Sequence, residues 1–352
     1  MDYKTKLEEY IKTVIGQNGS DLHLGAGRVP AVRVAGELIF LVKETVLTKE
    51  DMLGILQVVL IKNKYDQFIT EQEIDFSYEI PNTARLRGNA FFQKGLVNIA
   101  LRLIPKVKPL EELHLPKIIG DLAKSKQGFF LCVGPVGQGK STTLSAMIDI
   151  INNEQARNII TIEDPIEHVY EQNKSMISQR EVGVDTKDFH IALKSVFRED
   201  VNVIMVGEMR NNETISTAVT AAETGHLVLS TLHTNNAAQT IDRIIDSFPG
   251  EQQDQIRIQL ASSLIGIFSQ RLIPRISGGL IPAYELLLNN NAVGNLIREK
   301  RTHEINVVIE TGSESGMVDL NHCLMELVKA GEITIESAYQ YSLNPKALER
   351  MV

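Results

Sequence analysis

Eight residues constrain this chain more than any other stretch: Gly134, Pro135, Val136, Gly137, Gln138, Gly139, Lys140 and Ser141. They fit the pattern G-x-x-x-x-G-K-[ST]. A buried-type apolar run, GFFLCV, leads in, and a helical run, KSTTLSAMIDIINN, leads out. Glycines let such a loop curl until its backbone N–H groups point inward at phosphate oxygens. The positive end of the following helix adds to that field. In that geometry the Lys140 ammonium reaches β- and γ-phosphates and the Ser141 hydroxyl ligates Mg²⁺, with Thr142 beside them at the helix start. The same loop also serves proteins that bind a nucleotide without hydrolysing it.

The surroundings of the loop predict an α/β fold. Short apolar strands at 129–133, 159–162, 203–206 and 227–230 alternate with helices KSTTLSAMIDIINN, KDFHIALKSVF and NNETISTAVTAAETG, the last stopped by Gly225. That alternation indicates a mostly parallel sheet covered on both faces. Residues 1–103 read differently, as an α+β domain of short strands. In it, LTKEDMLGILQVVL forms a helix with Thr48 as N-cap and Asp51 in the capping-box position. IPKVKPLEELHLP, with three prolines, reads as a linker over 104–116. The second domain then runs over 117–352, and its tail, roughly 252–352, reads as an appended helical bundle.

In an open parallel sheet, ligands bind outside the carboxyl ends of the strands. At those ends stand the loop itself, Glu163-Asp164-Pro165-Ile166-Glu167, Gly207-Glu208 and Thr231-Leu232-His233. The run VIMVGE ends in an acid, Glu208, suited to holding Mg²⁺ directly or through water. Glu163 and Glu167 offer two carboxylates four residues apart, one to polarise a water and the other to orient the loop. Spacing does not say which does which. His226 and His233 flank the fourth strand, and His233 is placed to sense a γ-phosphate. In the first domain Arg85 and Arg87, two apart on one strand, share a face, and Arg102 lies on a neighbouring strand. They are either solvated strand-face charges or an arginine contribution to a nucleotide.

Composition narrows the class. The formal charge is 36 − 44 = −8, and an acidic surface repels phosphate backbones, so no direct nucleic-acid binding is expected. Two cysteines, Cys132 and Cys323, exclude a disulfide framework and any four-cysteine zinc site. No apolar run approaches the roughly 20 residues that span a bilayer, and the first residues lack the basic start and apolar stretch of a signal peptide. A cytoplasmic chain, able to dock on a membrane protein, is the expectation.

Taken in order, GPVGQGKSTT, TIEDPIEHVY, QREVGVDT, FREDVNVIMVGEMRNNET and TAAETGHLVLSTLHTNNAAQTIDRIIDSFP resemble the secretion-superfamily ATPases, most of all the PilT-type pilus-retraction motors. SDLHLGAGRVPAVRVAGEL and FSYEIPNTARLRGNAF resemble that family's N-terminal domain, so the likeness covers almost the whole chain. The resemblance implies a PAS-like N-terminal domain, a RecA-like ATPase domain and a hexameric ring. It implies Lys140 and Ser141 as Walker A, Glu208 as the Walker B acid, Glu167 as water activator beside Glu163, and His226 with His233 as a histidine pair. Arg87 and Arg102 match arginines that reach ATP from the N-terminal domain, with Arg85 alongside. The ring would turn an inner-membrane platform protein and depolymerise the pilus, with a paralogous pilus ATPase as a further partner.

Extension motors add an N-terminal region and a four-cysteine metal site. This sequence opens on the core and has two cysteines, which favours retraction. Two departures stand out. NAVGNLIRE carries Gly294 where the family motif has its first Arg, although Arg298 is kept, and REDVN lacks the usual Pro-Asp. Two other readings stay open: a traffic ATPase of a secretion, DNA-uptake or conjugation apparatus, and an accessory ring component that binds ATP and tunes a second motor.

Overall fold

The computed structural model describes residues 2–81 and 83–351 and divides between Lys106 and Val107 into two units. The first unit is built from α1 (Tyr3–Gly16), β1 (Gly19–Gly25), β2 (Ala31–Val34), β3 (Glu37–Phe40), α2 (Lys49–Val59), α3 (Lys62–Glu71), β4 (Glu73–Ile80), β5 (Ala84–Gln93) and β6 (Leu96–Ile104). Its strands form one antiparallel sheet in the order β3-β2-β1-β6-β5-β4. Alternation along each strand sends Leu22, Leu24, Leu86, Ile99 and Leu101 into a core shared with Leu7, Ile11 and Val14 of α1 and Met52, Ile55 and Leu56 of α2. The expected cap of α2 is present: Thr48 accepts from the Asp51 backbone N–H, and the Asp51 carboxylate accepts from Thr48 N at 2.9 Å.

The other face of this sheet carries the arginines. Register places Arg33, Asp21, Arg102, Arg87 and Ser77 side by side across five strands. Arg102 Nε donates to Asp21 Oδ1 at 2.8 Å, and Arg85 pairs with Glu79 at 3.5 Å. Arg85 and Arg87 share this face, and Arg33 joins them.

The second unit contains α4 (Ile118–Ala123), β7 (Gly128–Val133), α5 (Lys140–Glu154), β8 (Asn158–Glu163), β9 (Met176–Glu181), α6 (Phe189–Val196), β10 (Val203–Val206), α7 (Asn212–Glu223), β11 (Leu227–Leu232), α8 (Ala237–Asp246) and α9 (Gly250–Ser263). After α9 come β12 (Leu264–Pro274), β13 (Leu280–Leu288), α10 (Asn291–Arg298), α11 (Ile305–Thr311), α12 (Leu320–Lys329), α13 (Ile335–Tyr341) and α14 (Pro345–Glu349). The seven strands order as β13-β12-β7-β11-β10-β8-β9, and only the β12–β13 pair is antiparallel. One apolar core on one face of the sheet takes in residues of α6, α7, α8 and α9, and a second on the other takes in residues of α4 and α5. This is the doubly covered parallel sheet that the alternation predicts.

Two expectations are adjusted. The tail is not helical throughout: Leu264–Leu288 is mostly a β-hairpin that widens the sheet beside β7, and the helices resume at Asn291. The linker is also shorter than 104–116, because Leu110 and Leu115 are buried in the second unit's core. No helix among the described residues is long and apolar enough to cross a membrane.

Candidate nucleotide site

The carboxyl ends of β7, β8, β10 and β11 open on one cleft. It is lined by Val136, Gly137, Lys140, Ser141, Glu163, Asp164, Glu167, Glu208, Thr231 and His233, among others. The sequence-predicted residues of four separate strand ends therefore meet in one place. The loop supplies the tight turn that its glycines permit: Gly134, Gly137 and Gly139 adopt φ of 146°, 78° and 77°. At Gly134 space is also limiting, since a Cβ there would collide with the Gln270 carbonyl oxygen.

Lys140 is buried at the head of α5. Its Nζ donates to Gly134 O at 2.9 Å and Pro135 O at 2.7 Å and lies 3.3 Å from His233 Nδ1. Burial pushes the Lys140 ammonium below its ordinary value, against the pull of Glu167 and Glu208. Burial, then the Lys140 charge, pushes His233 down as well, so its imidazole stays neutral at pH 7 and accepts from Lys140.

The two carboxylates at the end of β8, Glu163 and Glu167, are set apart by environment. Glu163 ends β8 and is buried. Its Oε1 accepts from Thr161 Oγ1 at 2.6 Å and Gln179 Nε2 at 3.2 Å, and its Oε2 from the Glu167 backbone N–H at 3.2 Å. Burial raises its pKa. Glu167 is exposed at the cleft. Glu208 follows β10 and is paired with Arg210, whose guanidinium also lies 3.9 Å from Asp164.

Not every expected residue is brought here. His226 precedes β11, at the amino end of the strand and away from the cleft, with Nδ1 2.9 Å from Ala221 O and its ring edge-on to Phe197. It does not line this cleft. Gln138 turns away, its Oε1 accepting from the Leu272 backbone N–H at 2.6 Å. Arg85, Arg87 and Arg102 belong to the first unit. Sequence reasoning missed Phe189, Met205 and Ser145 in the lining. It also missed Gln270 behind the loop; an apolar tail read as helix gave no signal for it.

The profile of the family described as "Type II/IV secretion system protein" matches residues 108–317. The "Type IV pilus retractation ATPase PilT" of Pseudomonas aeruginosa is 44% identical over 331 residues, covering 94% of this chain and 96% of that protein. The chain belongs to the type II/IV secretion ATPase family and is of PilT type. A second relative in this family, the "Type IV pilus ATPase PilU" of Pseudomonas aeruginosa, is 37% identical over 99% of this chain and 91% of its own length. The crystal structure described as the pilus retraction motor PilT with bound ADP superposes with a TM-score of 0.91 at 46% identity, covering 97% of this chain and 98% of that one. The PilT-type family is thus an ATPase family, and its two-unit fold is the fold seen here.

Proposed function

We propose that the chain is a cytoplasmic, hexameric ATP-hydrolysing motor that powers type IV pilus retraction by driving a platform protein at the inner membrane. The observation that carries the reading is the convergence of Lys140, Ser141, Glu167, Glu208 and His233 on one cleft, in a chain similar over nearly its full length to a retraction ATPase.

In this reading the backbone of residues 134–139 and the N-terminus of α5 cradle the phosphates. Lys140 exchanges the Gly134 and Pro135 carbonyls for β- and γ-phosphate oxygens. Its pKa is held low by burial, and the phosphate charge restores the ammonium's preference for its proton. The Ser141 hydroxyl and Glu208 are hard oxygen donors in one cleft, a set that suits Mg²⁺ sharing its shell with phosphates and water. When bound, that ion neutralises charge on the β- and γ-phosphates. Glu167, exposed at the cleft, accepts the proton of the attacking water, while Glu163 is occupied in holding the backbone N–H of Glu167. His233 ties the γ-phosphate region to Lys140. Arg87 and Arg102, on the open face of the first unit's sheet, complete a site on a neighbouring subunit, and Arg85, paired with Glu79, holds the same face.

Steady-state ATP turnover tests this, comparing wild type with Glu167→Gln and Arg87→Ala, alone and mixed. Two inactive singles whose mixture regains activity place base and arginine on opposite sides of a subunit boundary. A second reading, the accessory ring component, is favoured by one observation. Gly294 sits in α10 where the family has arginine, and the Arg298 guanidinium closes over it, 3.4 Å from where its Cβ would be. Wild-type protein that binds ATP without turning it over selects that reading.

A further inference from the structure

β12 runs beside β7 with Phe268 opposite Cys132 and Ser269 opposite Val133. Beyond that point β7 has ended, and β12 continues alongside residues 134–139. Its side chains there alternate between two loops. Gln270, 3% exposed, accepts on Oε1 from Thr143 Oγ1 at 2.6 Å, and Thr143, on the first turn of α5, is itself 1% exposed. The Gln270 side-chain amide nitrogen lies 3.0 Å from where a Cβ of Gly139 would stand, and the backbone carbonyl oxygen of the same residue fills that place at Gly134. The next backbone N–H but one, of Leu272, donates to Gln138. Both ends of the phosphate loop therefore rest on Gln270 and Leu272. The intervening residues face the other way. Ser269 Oγ donates to Asn235 O at 2.9 Å, and the Arg271 guanidinium donates to Asn235 O and Oδ1 at 3.2 Å each. Asn235 is two residues past His233.

We propose that Gln270 is a positioning residue for the phosphate loop, through Thr143, and that β12 ties that loop to the strand end carrying His233. Gln270 touches no reacting atom. It fixes the curvature of the loop and the first turn of α5, so that the inward N–H groups are set before a phosphate arrives. Such preorganisation appears in nucleotide affinity, because a loosened loop must be reordered on binding. This rests on the reading of the cleft as a nucleotide site.

The full chain is tested with a fluorescent ADP analogue, by steady-state kinetics and by thermal unfolding. Wild type is compared with Gln270→Met, Thr143→Val, Thr143→Ser, the Gln270→Met/Thr143→Val double variant and Gln138→Ala. Lys140→Ala reports on the site itself. Gln270→Met and Thr143→Val should each raise Kd for the analogue and KM for ATP about tenfold, as expected for one buried bond broken with its partner stranded. The double variant should be no worse than either single, because both remove one bond, and Thr143→Ser should restore affinity to within about twofold. Gln138→Ala, changed on the accessible side of the loop, should fold normally and weaken binding about threefold, since it leaves only the Leu272 N–H without a partner. In all of them kcat should fall much less than KM rises. Unchanged Kd and KM in Gln270→Met, Thr143→Val and Gln138→Ala, with only the unfolding midpoint lowered, would overturn the proposal and leave these bonds a packing role. Failure of wild type to bind the analogue, or equal binding by Lys140→Ala, would instead overturn the nucleotide-site reading, and the proposal with it.

Discussion

Glu163 and Glu167 stand four residues apart in one loop, yet they are prepared for different work. Three hydrogen bonds converge on the buried Glu163, from Thr161, Gln179 and the Glu167 N–H. Replacing it with alanine strands those donors and should lower stability by about 1–3 kcal/mol, read as a fall in the thermal midpoint. Glu167→Gln should leave the stability within about 0.5 kcal/mol of wild type, the range for surface changes, while abolishing turnover. A Glu167→Gln protein that still hydrolyses ATP would move the base elsewhere. At this scale the sequence was legible wherever meaning is local. Lys140, Ser141, Glu208 and His233 could be found because each sits a residue or two from a recognisable strand end. Gln270 could not, because its meaning comes from Thr143, 127 residues away. His226 misled for the converse reason: it adjoins the right strand but stands at the wrong end of it.

Among the elements, a helix was legible where the sequence writes its cap beside its period, as it does for α2 of the first unit. Thr48 is that cap. Thr48→Ala should cost about 1 kcal/mol, the usual value of an N-cap, measurable by denaturant unfolding. The β12–β13 hairpin was less legible. LIGIFSQRLIPRISGGLIPAYELLL has too few polar positions to show an alternation, since both faces of these strands are covered. Its Gly278-Gly279 pair, both with positive φ, is the one local mark of the turn. The hairpin also holds a buried acid. Glu285 of β13 accepts from the Ala237 N–H at 2.8 Å, and the Arg271 guanidinium spends its hydrogen bonds on Asn235 instead. Burial pushes Glu285 up to about 7 from 4.5. The fold thus favours the protonated form. That contribution is complete below pH 4.5 and is lost as pH rises to about 7. Glu285→Gln, always neutral, should therefore gain stability relative to wild type across that window, by roughly 2–3 kcal/mol at its upper end. Denaturant midpoints at several pH values check it; a constant difference would mean that Glu285 has the same pKa in the folded and unfolded chain.

At the scale of the molecule, the division between Lys106 and Val107 leaves each side with its own apolar core. A fragment of residues 1–106 should fold alone and unfold in a single cooperative transition, seen by circular dichroism. A featureless melt would show that the antiparallel sheet depends on the rest of the chain.

The place of β12 has one more consequence, for the order of events on a ribosome. The side chains of Cys132 and Gln270 meet at 4.0 Å but lie 138 residues apart in the chain. At about 5–20 residues per second, the strand that carries the phosphate loop waits on the order of ten seconds for the one that braces it. Until then β7 has an open edge, and an unpaired apolar edge is where chains stick to one another. Nascent chains stalled before Leu264 should be digested readily by protease and stay so when ADP is added. Chains stalled far enough beyond Leu288 for the hairpin to clear the exit tunnel should become resistant. The capacity to hold a nucleotide would then be among the last properties this protein acquires while it is being made.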